Sequence, residues 1–428
     1  MILENNNKFK ISEFLFTLMN KFKMSELLFI FMPLALITGP FLADLSVCLI
    51  VLIFFINFKV ETHFRYFKNK FFYFFFILNI WFIASSLFSD NILISLKTSF
   101  FYFRFYIFSL AVWFILDTNE RVLKYFFYIL LFTFTILIFD GFFQYIFDFN
   151  ILGWELHPGP RISSFFKDEL ILGSYISRSL PLLLGFFLYF FEKNKKFLYS
   201  YSFIFLILTE TLTFLSGERV AFFYINLSCL VLILCLNKYN LLRLFSYLVS
   251  ILLITLIVTL SPASKERIID KTISQTGILT PDKTFFSSDH ERIFNSALEI
   301  IKNNKISGVG PNNFKEECKI YLKKNPNFYI CATHPHNTYL ELLAETGIPG
   351  FLMISALFIY LNVSLLHHLY LRVFKKHVQK YSNLEVCLLT AIYISLFPFI
   401  PTGSFFYNYL SIIYYLPVGI FLWKVNKK

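Results

Sequence analysis

Two histidines stand two positions apart in the stretch THPHNTYLELLAETGIPG, residues 333–350. A neutral imidazole accepts protons near neutral pH, so His334 and His336 are candidate general bases. The residue before a proline favours extended backbone, and Pro335 separates the two histidines. Both rings could therefore point the same way. Imidazole is also a common metal ligand, which leaves a metal site as a second interpretation.

The residues that follow predict the start of a helix. Thr338 and Glu341 have the spacing of a capping box, and a short helix over 339–346 fits the apolar pattern. Gly347 would end this helix, and Pro349 would prevent its continuation. Because helix N-termini attract anions, the two histidines would lie where a negatively charged substrate binds.

Arginines on the same side of the chain would complete an anion site. Arg161, Arg219 and Arg292 fall in segments that we place on one side of a membrane. Guanidinium groups bind phosphate oxygens in a two-pronged way. Together with the histidines, these arginines predict the capture of a phosphate or diphosphate.

Charged residues also occur inside long apolar runs, namely Arg104, Asp140, Arg178 and Glu210. Such charges are costly in a membrane unless they pair or line a hydrated cavity. One interpretation is that Arg178 pairs with Asp140 or Glu210 and holds helices together. The other is that these residues line a cavity that opens outward.

The composition defines the elements that position these residues. The chain has 428 residues, of which 57% are hydrophobic and 15% charged. A soluble domain carries about 25% charged residues. Apolar runs long enough to cross a bilayer recur along the chain. We therefore predict an all-α polytopic membrane protein. Its net charge of +12 resides mainly in short loops, so we do not expect nucleic-acid binding.

About twelve transmembrane helices are predicted. They cover residues 24–40, 43–58, 70–88, 98–116, 122–147, 168–190, 197–215, 219–236, 241–260, 349–370, 384–402 and 406–424. Positive charges concentrate in alternate short loops and at the C-terminus. The positive-inside rule then places both termini in the cytoplasm. We expect the protein in a bacterial inner membrane, in contact with membrane lipid.

One long polar segment interrupts the spans, and the same alternation places it in the periplasm. We predict nine spans in 1–260, a periplasmic segment in 261–348 and three spans in 349–428. The periplasmic segment includes the loop that carries His334 and His336, which we call the histidine loop. In the segment, Ile293, Ala297 and Ile300 recur at helical spacing. The glycines of GVGPNNF resemble a phosphate loop only superficially, since neither a preceding strand nor a GK[ST] sequence is present.

Cys318 and Cys331 both lie in this segment. In an oxidising compartment we expect a disulfide between them, which would stabilise the fold by about 2–3 kcal/mol and brace the histidine loop. A zinc site that combines the two loop histidines with His290 or Asp289 is the rival interpretation. Its spacing matches no common zinc pattern, so no metal is expected.

The motifs together resemble the O-antigen ligase and polymerase superfamily. HPHNTYLELLAETGIPG resembles its histidine-asparagine signature, and LSGERVAFF at 215–223 resembles its Ser-x-x-Arg segment. DHERIFNSALEIIKNNKISGVGPNNF resembles its arginine-bearing helix and Gly-x-Gly turn. DGFFQYIFDFNILG and GPRISSFFKDELILGSY resemble the stretch before the ligase core. The likeness covers roughly residues 140–423.

The resemblance implies a GT-C-like glycosyltransferase fold and a metal-independent, inverting transfer without a cofactor. The donor would be an oligosaccharide or polysaccharide on a polyprenyl diphosphate, and the acceptor a lipid A-core or another glycan. Carried onto this chain, the catalytic residue is His336, and Arg219 and Arg292 bind the donor diphosphate. Four further residues are expected to support this periplasmic site: His334, Asn337, Arg161 and Arg178.

Several functions stay open at this point. An O-antigen ligase is favoured over a repeat-unit polymerase, although the signature serves both. A protein O-glycan transferase is a third option. A multi-span transporter belongs to another class. Twelve spans and buried charges would suit a transporter, but one large outer segment between spans 9 and 10 does not.

Overall fold

A computed structural model describes most of the chain. The described residues are 22–157, 161–236, 240–260, 265–266, 270, 273, 288–324, 330–375 and 378–427. Most of the first part of the predicted periplasmic segment lies outside them. So do some of the positive charges that set the predicted orientation, among them Lys238, Lys376 and Lys428. The division of the chain at 260 and 348 stays a prediction.

Most of the described residues are helical, and the described residues form no β-strand. Their α-helices are α1 Met24–Ile30, α2 Met32–Ile37, α3 Pro40–Ile56, α4 Val60–Phe67, α5 Lys70–Ser86, α6 Ile92–Thr118, α7 Arg121–Phe147, α8 Leu172–Phe191, α9 Lys195–Leu215, α10 Arg219–Cys235, α11 Asn240–Leu260, α12 Ser288–Asn303, α13 Phe314–Lys324, α14 Thr338–Phe374, α15 Asn383–Ser395 and α16 Asn408–Asn426.

Five helices are long and apolar enough to span a membrane: α6, α7, α8, residues Arg243–Leu260 of α11, and α14. Five shorter apolar helical stretches accompany them: α3, α5, Tyr201–Leu215 of α9, α10 and α15. These helices support the class of polytopic membrane protein, and the number of twelve spans stays a prediction. The first predicted span is divided into α1 and α2, because Pro33 stands in the first turn of α2 and lacks the N–H that a continuous helix needs.

The apolar helices share one large core. In it α6 lies against α16, α8 against α15, and α9 against α11. Aromatic rings fill much of this core, as where Phe29 of α1 stacks on Phe126 of α7 with ring centroids 4.7 Å apart. Close packing of this kind is a main source of helix association where no water drives it.

A second, smaller core joins α12, α13 and the start of α14. Its buried members are Ile293, Ala297, Ile300, Val309, Phe314, Cys318, Tyr321 and Ala344. The predicted apolar face of α12 is confirmed, since its three residues are at most 6% exposed. This core fixes the chain immediately before and after the histidine loop.

The glycine-rich turn after α12 packs against the first part of α14. The N–H of Gly310 donates to the carbonyl of Glu345 at 2.8 Å, and a Cβ on Gly308 would lie 2.3 Å from the carbonyl carbon of that glutamate. Gly347 has φ +66° and interrupts α14 with non-helical backbone, as predicted. The turn therefore holds the end of a short helix, 338–346.

Candidate functional site

The histidine loop ends at Asn337, which caps α14. Its side-chain oxygen accepts the N–H groups of Tyr339 and Leu340 at 3.0 and 3.1 Å. Its amide nitrogen donates to the carbonyl of Pro398 at 2.7 Å. The prediction that Thr338 caps this helix is wrong, because Thr338 is already the first helical residue. Asn337 thus fixes the end of the loop.

Two buried glutamates fasten the short helix on both sides. Glu341 accepts the N–H of Phe405 at 2.8 Å, in the loop between α15 and α16. Glu345 accepts the N–H groups of Asn312 and Phe314 at 2.7 and 3.0 Å, in the glycine-rich turn. Glu341 therefore does not take part in the predicted capping box. Both carboxylates act as backbone anchors that position the histidine loop between two neighbouring segments.

Three imidazoles meet at this loop. The ring centroids of His334 and His336 are 4.2 Å apart, and the ring of His290 on α12 lies 5.6 Å from that of His336. His334 is buried, with 5% of its surface exposed, whereas His336 is half-buried. His336 also has φ +54°, the left-handed region that few residues other than glycine adopt.

The environment keeps the imidazoles neutral. Burial, and then the neighbouring His290, lower the pKa of His336 below its usual value. Burial and His336 lower the pKa of His334 to about 4. Burial and the positive charge of Arg219 lower the pKa of His290, which Asp289 partly offsets. At neutral pH, each ring therefore keeps a nitrogen lone pair.

Of the two loop histidines, His336 has its lone pair available to accept a proton, whereas His334 does not. The Nε2 of His334 lies 3.3 Å from the carbonyl of Thr402, so it must be the donor. Its Nδ1 then accepts from the Thr333 hydroxyl at 3.0 Å, which in turn accepts from Tyr407 at 3.2 Å. Both nitrogens of His334 are thus engaged in its neutral tautomer. His334 is suited to a positioning role beside His336.

Arg178 is buried and bound to hydroxyl groups. Its guanidinium donates to the hydroxyl of Ser174 and to that of Thr402 at 3.4 Å. The guanidinium carbon lies 4.5 Å from the ring centroid of Tyr224, a cation–π contact. Through Thr402, Arg178 is connected to the histidine loop.

The interpretation that Arg178 pairs with Asp140 or Glu210 is wrong. Asp140 accepts the N–H of Ile151 at 2.8 Å. Glu210 accepts the thiol of Cys229 at 2.9 Å. Each acid has a partner of its own, because loop backbone and neighbouring helices approach it more closely than the guanidinium does.

Glu218 lies between the N-terminus of α8 and the positive charges of Arg161 and Arg178. Its carboxylate accepts the N–H groups of Gly173 and Ser174 at 2.6 and 3.1 Å. Burial raises the pKa of Glu218 to about 7, against the lowering effect of Arg161 and Arg178. The carboxylate thus faces the α8 N-terminus and shares its surroundings with Arg161 and Arg178.

The two arginines expected at the diphosphate differ in their settings. Arg219 is the exposed first residue of α10 and acts electrostatically on His290. Arg292 is half-buried on α12, two residues after His290. The charge of Arg219 therefore acts on one ring of the imidazole cluster. The roles of Arg219 and Arg292 at the diphosphate stay predictions.

A disulfide joins Cys318 to Cys331, whose Cα atoms are 5.6 Å apart. It connects α13 to the chain three residues before His334 and lies in the smaller core. Over the part of the chain that the structure describes, no group of three or more His, Cys, Asp or Glu residues is arranged to hold a metal ion.

Sequence reasoning missed Thr402 and Tyr407, which contact the histidine loop. Both lie in the stretch PTGSFFYN, residues 401–408, where the last two predicted spans, 384–402 and 406–424, meet. Its concentration of hydroxyl groups on the predicted outer side was the available signal. The contact of Glu218 with α8 gave no signal, since the two segments are about 45 residues apart.

The structure is an apolar helical bundle in which neutral imidazoles and arginines lie at helix N-termini. This arrangement fits a membrane enzyme that acts on an anionic substrate. Residues 179–355 match the family described as O-antigen ligase. Over these residues, the match confirms the resemblance to the O-antigen ligase and polymerase superfamily. It supports an enzyme that uses a lipid-linked glycan and an acceptor. The chain matches no curated protein.

Proposed function

We propose that this protein is an inner-membrane O-antigen ligase. It transfers a glycan from a polyprenyl diphosphate to a lipid A-core acceptor on the periplasmic side. The observation that carries the proposal is the setting of His336. This half-exposed imidazole is kept neutral at a helix N-terminus, inside the segment that matches the ligase family.

The reaction needs one proton acceptor and a site for one anion. An acceptor hydroxyl oxygen attacks the anomeric carbon of the donor sugar as its bond to the diphosphate oxygen breaks. The hydroxyl proton passes to His336, and the bonding electron pair leaves with the polyprenyl diphosphate. Attack from the face opposite the leaving group inverts the anomeric carbon. A metal or redox cofactor supplies no step in this scheme.

Arg219 and Arg292 neutralise the charge that develops on the leaving diphosphate. Cations aimed at developing charge lower the barrier because they are already oriented when the reaction occurs. The position of Arg219 has a second consequence, since its charge lowers the pKa of His290. A neutral His290 does not oppose protonation of His336 as a cation would.

The other expected residues act through position. Asn337 and His334 hold the loop on either side of His336, one as the α14 cap and one through its two engaged nitrogens. Arg161 and Arg178 contribute positive charge near the start of α8. The adjacent Glu218 limits this charge when it is ionised.

Loss of the gene tests the function. Bare lipid A-core, with polymer left on its carrier lipid, is the result expected for a ligase. Core that carries a single repeat unit would instead identify a polymerase. Unchanged glycan together with altered solute uptake would contradict both and indicate a transporter.

Complementation of the deleted strain with variants tests the site. His336→Ala should leave the protein in the membrane and fail to restore the polymer. His367→Ala is the matched control, because His367 is exposed on α14 and lies outside the histidine loop. Normal surface glycan with His336→Ala would remove His336 from the mechanism.

A further inference from the structure

Thr402 occupies the loop between α15 and α16, outside the segment that matches the ligase family. It is buried, with 8% of its surface exposed. Its backbone N–H, its backbone carbonyl and its side-chain hydroxyl each contact a different residue of the candidate site.

The three contacts converge on the histidine loop. The N–H of Thr402 donates to the carbonyl of His336 at 2.8 Å. The carbonyl of Thr402 accepts from Nε2 of His334 at 3.3 Å. The hydroxyl of Thr402 accepts from the guanidinium of Arg178 at 3.4 Å. One residue thus holds the backbone of the proposed base, the ring packed beside it and a buried cation.

His336 needs such support because of its backbone. A residue other than glycine at φ +54° is in a sparsely populated conformation, which persists only where surrounding contacts enforce it. Asn337 fixes the backbone after His336 by capping α14. The bond from Thr402 fixes the orientation of the His336 carbonyl itself. Rotation of that peptide would change ψ of His336 and, with it, the direction of the imidazole relative to α14.

We propose that Thr402 is a positioning residue for the transfer reaction: it fixes the His336 backbone and the His334 ring, and Arg178 fixes Thr402 in turn. This inference rests on the proposed function of His336. Thr402 itself touches neither donor nor acceptor. Its loss should therefore affect kcat and leave the KM for the lipid-linked donor unchanged.

The contact between the Thr402 hydroxyl and Arg178 can be removed with little change in the shape of the side chain. Thr402→Val keeps the volume and the backbone groups but removes one of the two hydroxyl acceptors of the Arg178 guanidinium, the other being Ser174. Because small displacements of a catalytic group are costly, the resulting shift of the His336 loop should lower kcat by about tenfold or more. Thr402→Ser keeps the hydroxyl and should retain kcat within about twofold. Thr118→Val, at an exposed threonine on α6, is the matched control.

The experiment uses the full-length protein in vesicles with a polyprenyl-diphosphate glycan and lipid A-core. The expected pattern is a lower kcat and unchanged KM for Thr402→Val, with rescue by Thr402→Ser. Wild-type kcat in folded Thr402→Val protein would overturn the inference. Equal losses in the Val and Ser variants would also overturn it, since the hydroxyl would then be irrelevant.

A measurement on the unaltered protein covers the case in which Thr402→Val does not fold. Hydrogen exchange of the segment 396–407 should show the Thr402 amide to be strongly protected, because its N–H is bonded to His336. Immediate exchange of this amide would overturn the inference. The two proposals fail separately: activity in His336→Ala refutes the proposed base, whereas an inactive His336→Ala beside a fully active Thr402→Val refutes only the positioning role.

Discussion

Protonation of His334 should destabilise the folded protein. Burial and His336 lower the pKa of this imidazole from 6.5 to about 4. The unfolded chain has the ordinary value, so between these two pH values it binds more protons than the native protein. The stability that the neutral ring contributes is therefore complete above about pH 6.5 and is lost as the pH falls toward about 4.

The size of the effect follows from the shift. At about pH 5 the unfolded histidine is almost fully protonated and the native one almost neutral, which lowers the free energy of unfolding by about 2 kcal/mol. The loss reaches about 3 kcal/mol near pH 4. No large discount for solvent screening applies, because only 5% of the His334 surface is exposed.

Thermal unfolding in detergent micelles measures this effect. His334→Gln removes the titration while its amide can still donate to Thr402 and accept from Thr333. Between about pH 7.5 and 5, the apparent unfolding temperature of the wild type should fall by about 2–4 °C more than that of His334→Gln. His367→Gln, at an exposed site, should follow the wild type. Parallel pH curves for the wild type and His334→Gln would refute the reasoning.

Three further results are expected. The pKa of His336 is lowered, and the base must be neutral to accept a proton. The acid limb of the plot of kcat against pH should therefore lie below pH 6.5, with the loss of activity on substitution of His336 assigning the limb to this residue. An acid limb above pH 6.5 would contradict the environment described for His336. Cys318→Ser should lower the free energy of unfolding by about 2–3 kcal/mol in denaturant titrations, and an unchanged midpoint would show that the disulfide does not brace the fold. Gly347→Ala should impair folding, because its Cβ would lie 2.0 Å from a carbonyl oxygen at a φ of +66°; normal yield and stability would contradict this, and Gly153→Ala, at a positive φ with open space, is the control.

Local patterns in the sequence predicted the local structure well. The apolar runs correspond to helices, and the face of α12 packs as its spacing indicates. The short helix before Gly347 ends where the glycine and the following proline require it. These features depend on residues a few positions apart, so the sequence contains their causes directly.

The residue that caps α14 was harder to predict from the sequence. Thr338 and Glu341 match a capping box, but Asn337 provides the cap. The reason is tertiary, because Glu341 is engaged by the backbone of Phe405. Asn is somewhat preferred over Thr at the cap, and the distant contact removes Glu341 from the alternative capping box.

Partners distant in sequence could not be predicted. Opposite charge suggested an acid partner for Arg178, whereas the structure supplies hydroxyl groups and the ring of Tyr224. Thr402 contacts the histidine loop from more than sixty residues away. Local periodicity carries no information on which loops meet at the end of a helical bundle.

The central claim is that His336 accepts the acceptor's proton, and transfer by purified protein in vesicles tests it most directly. A labelled polyprenyl-diphosphate glycan and lipid A-core are supplied, and donor binding is measured in parallel. His336→Ala should bind the donor normally and transfer its glycan at least about a hundredfold more slowly than the wild type. Transfer at the wild-type rate by His336→Ala would contradict the claim.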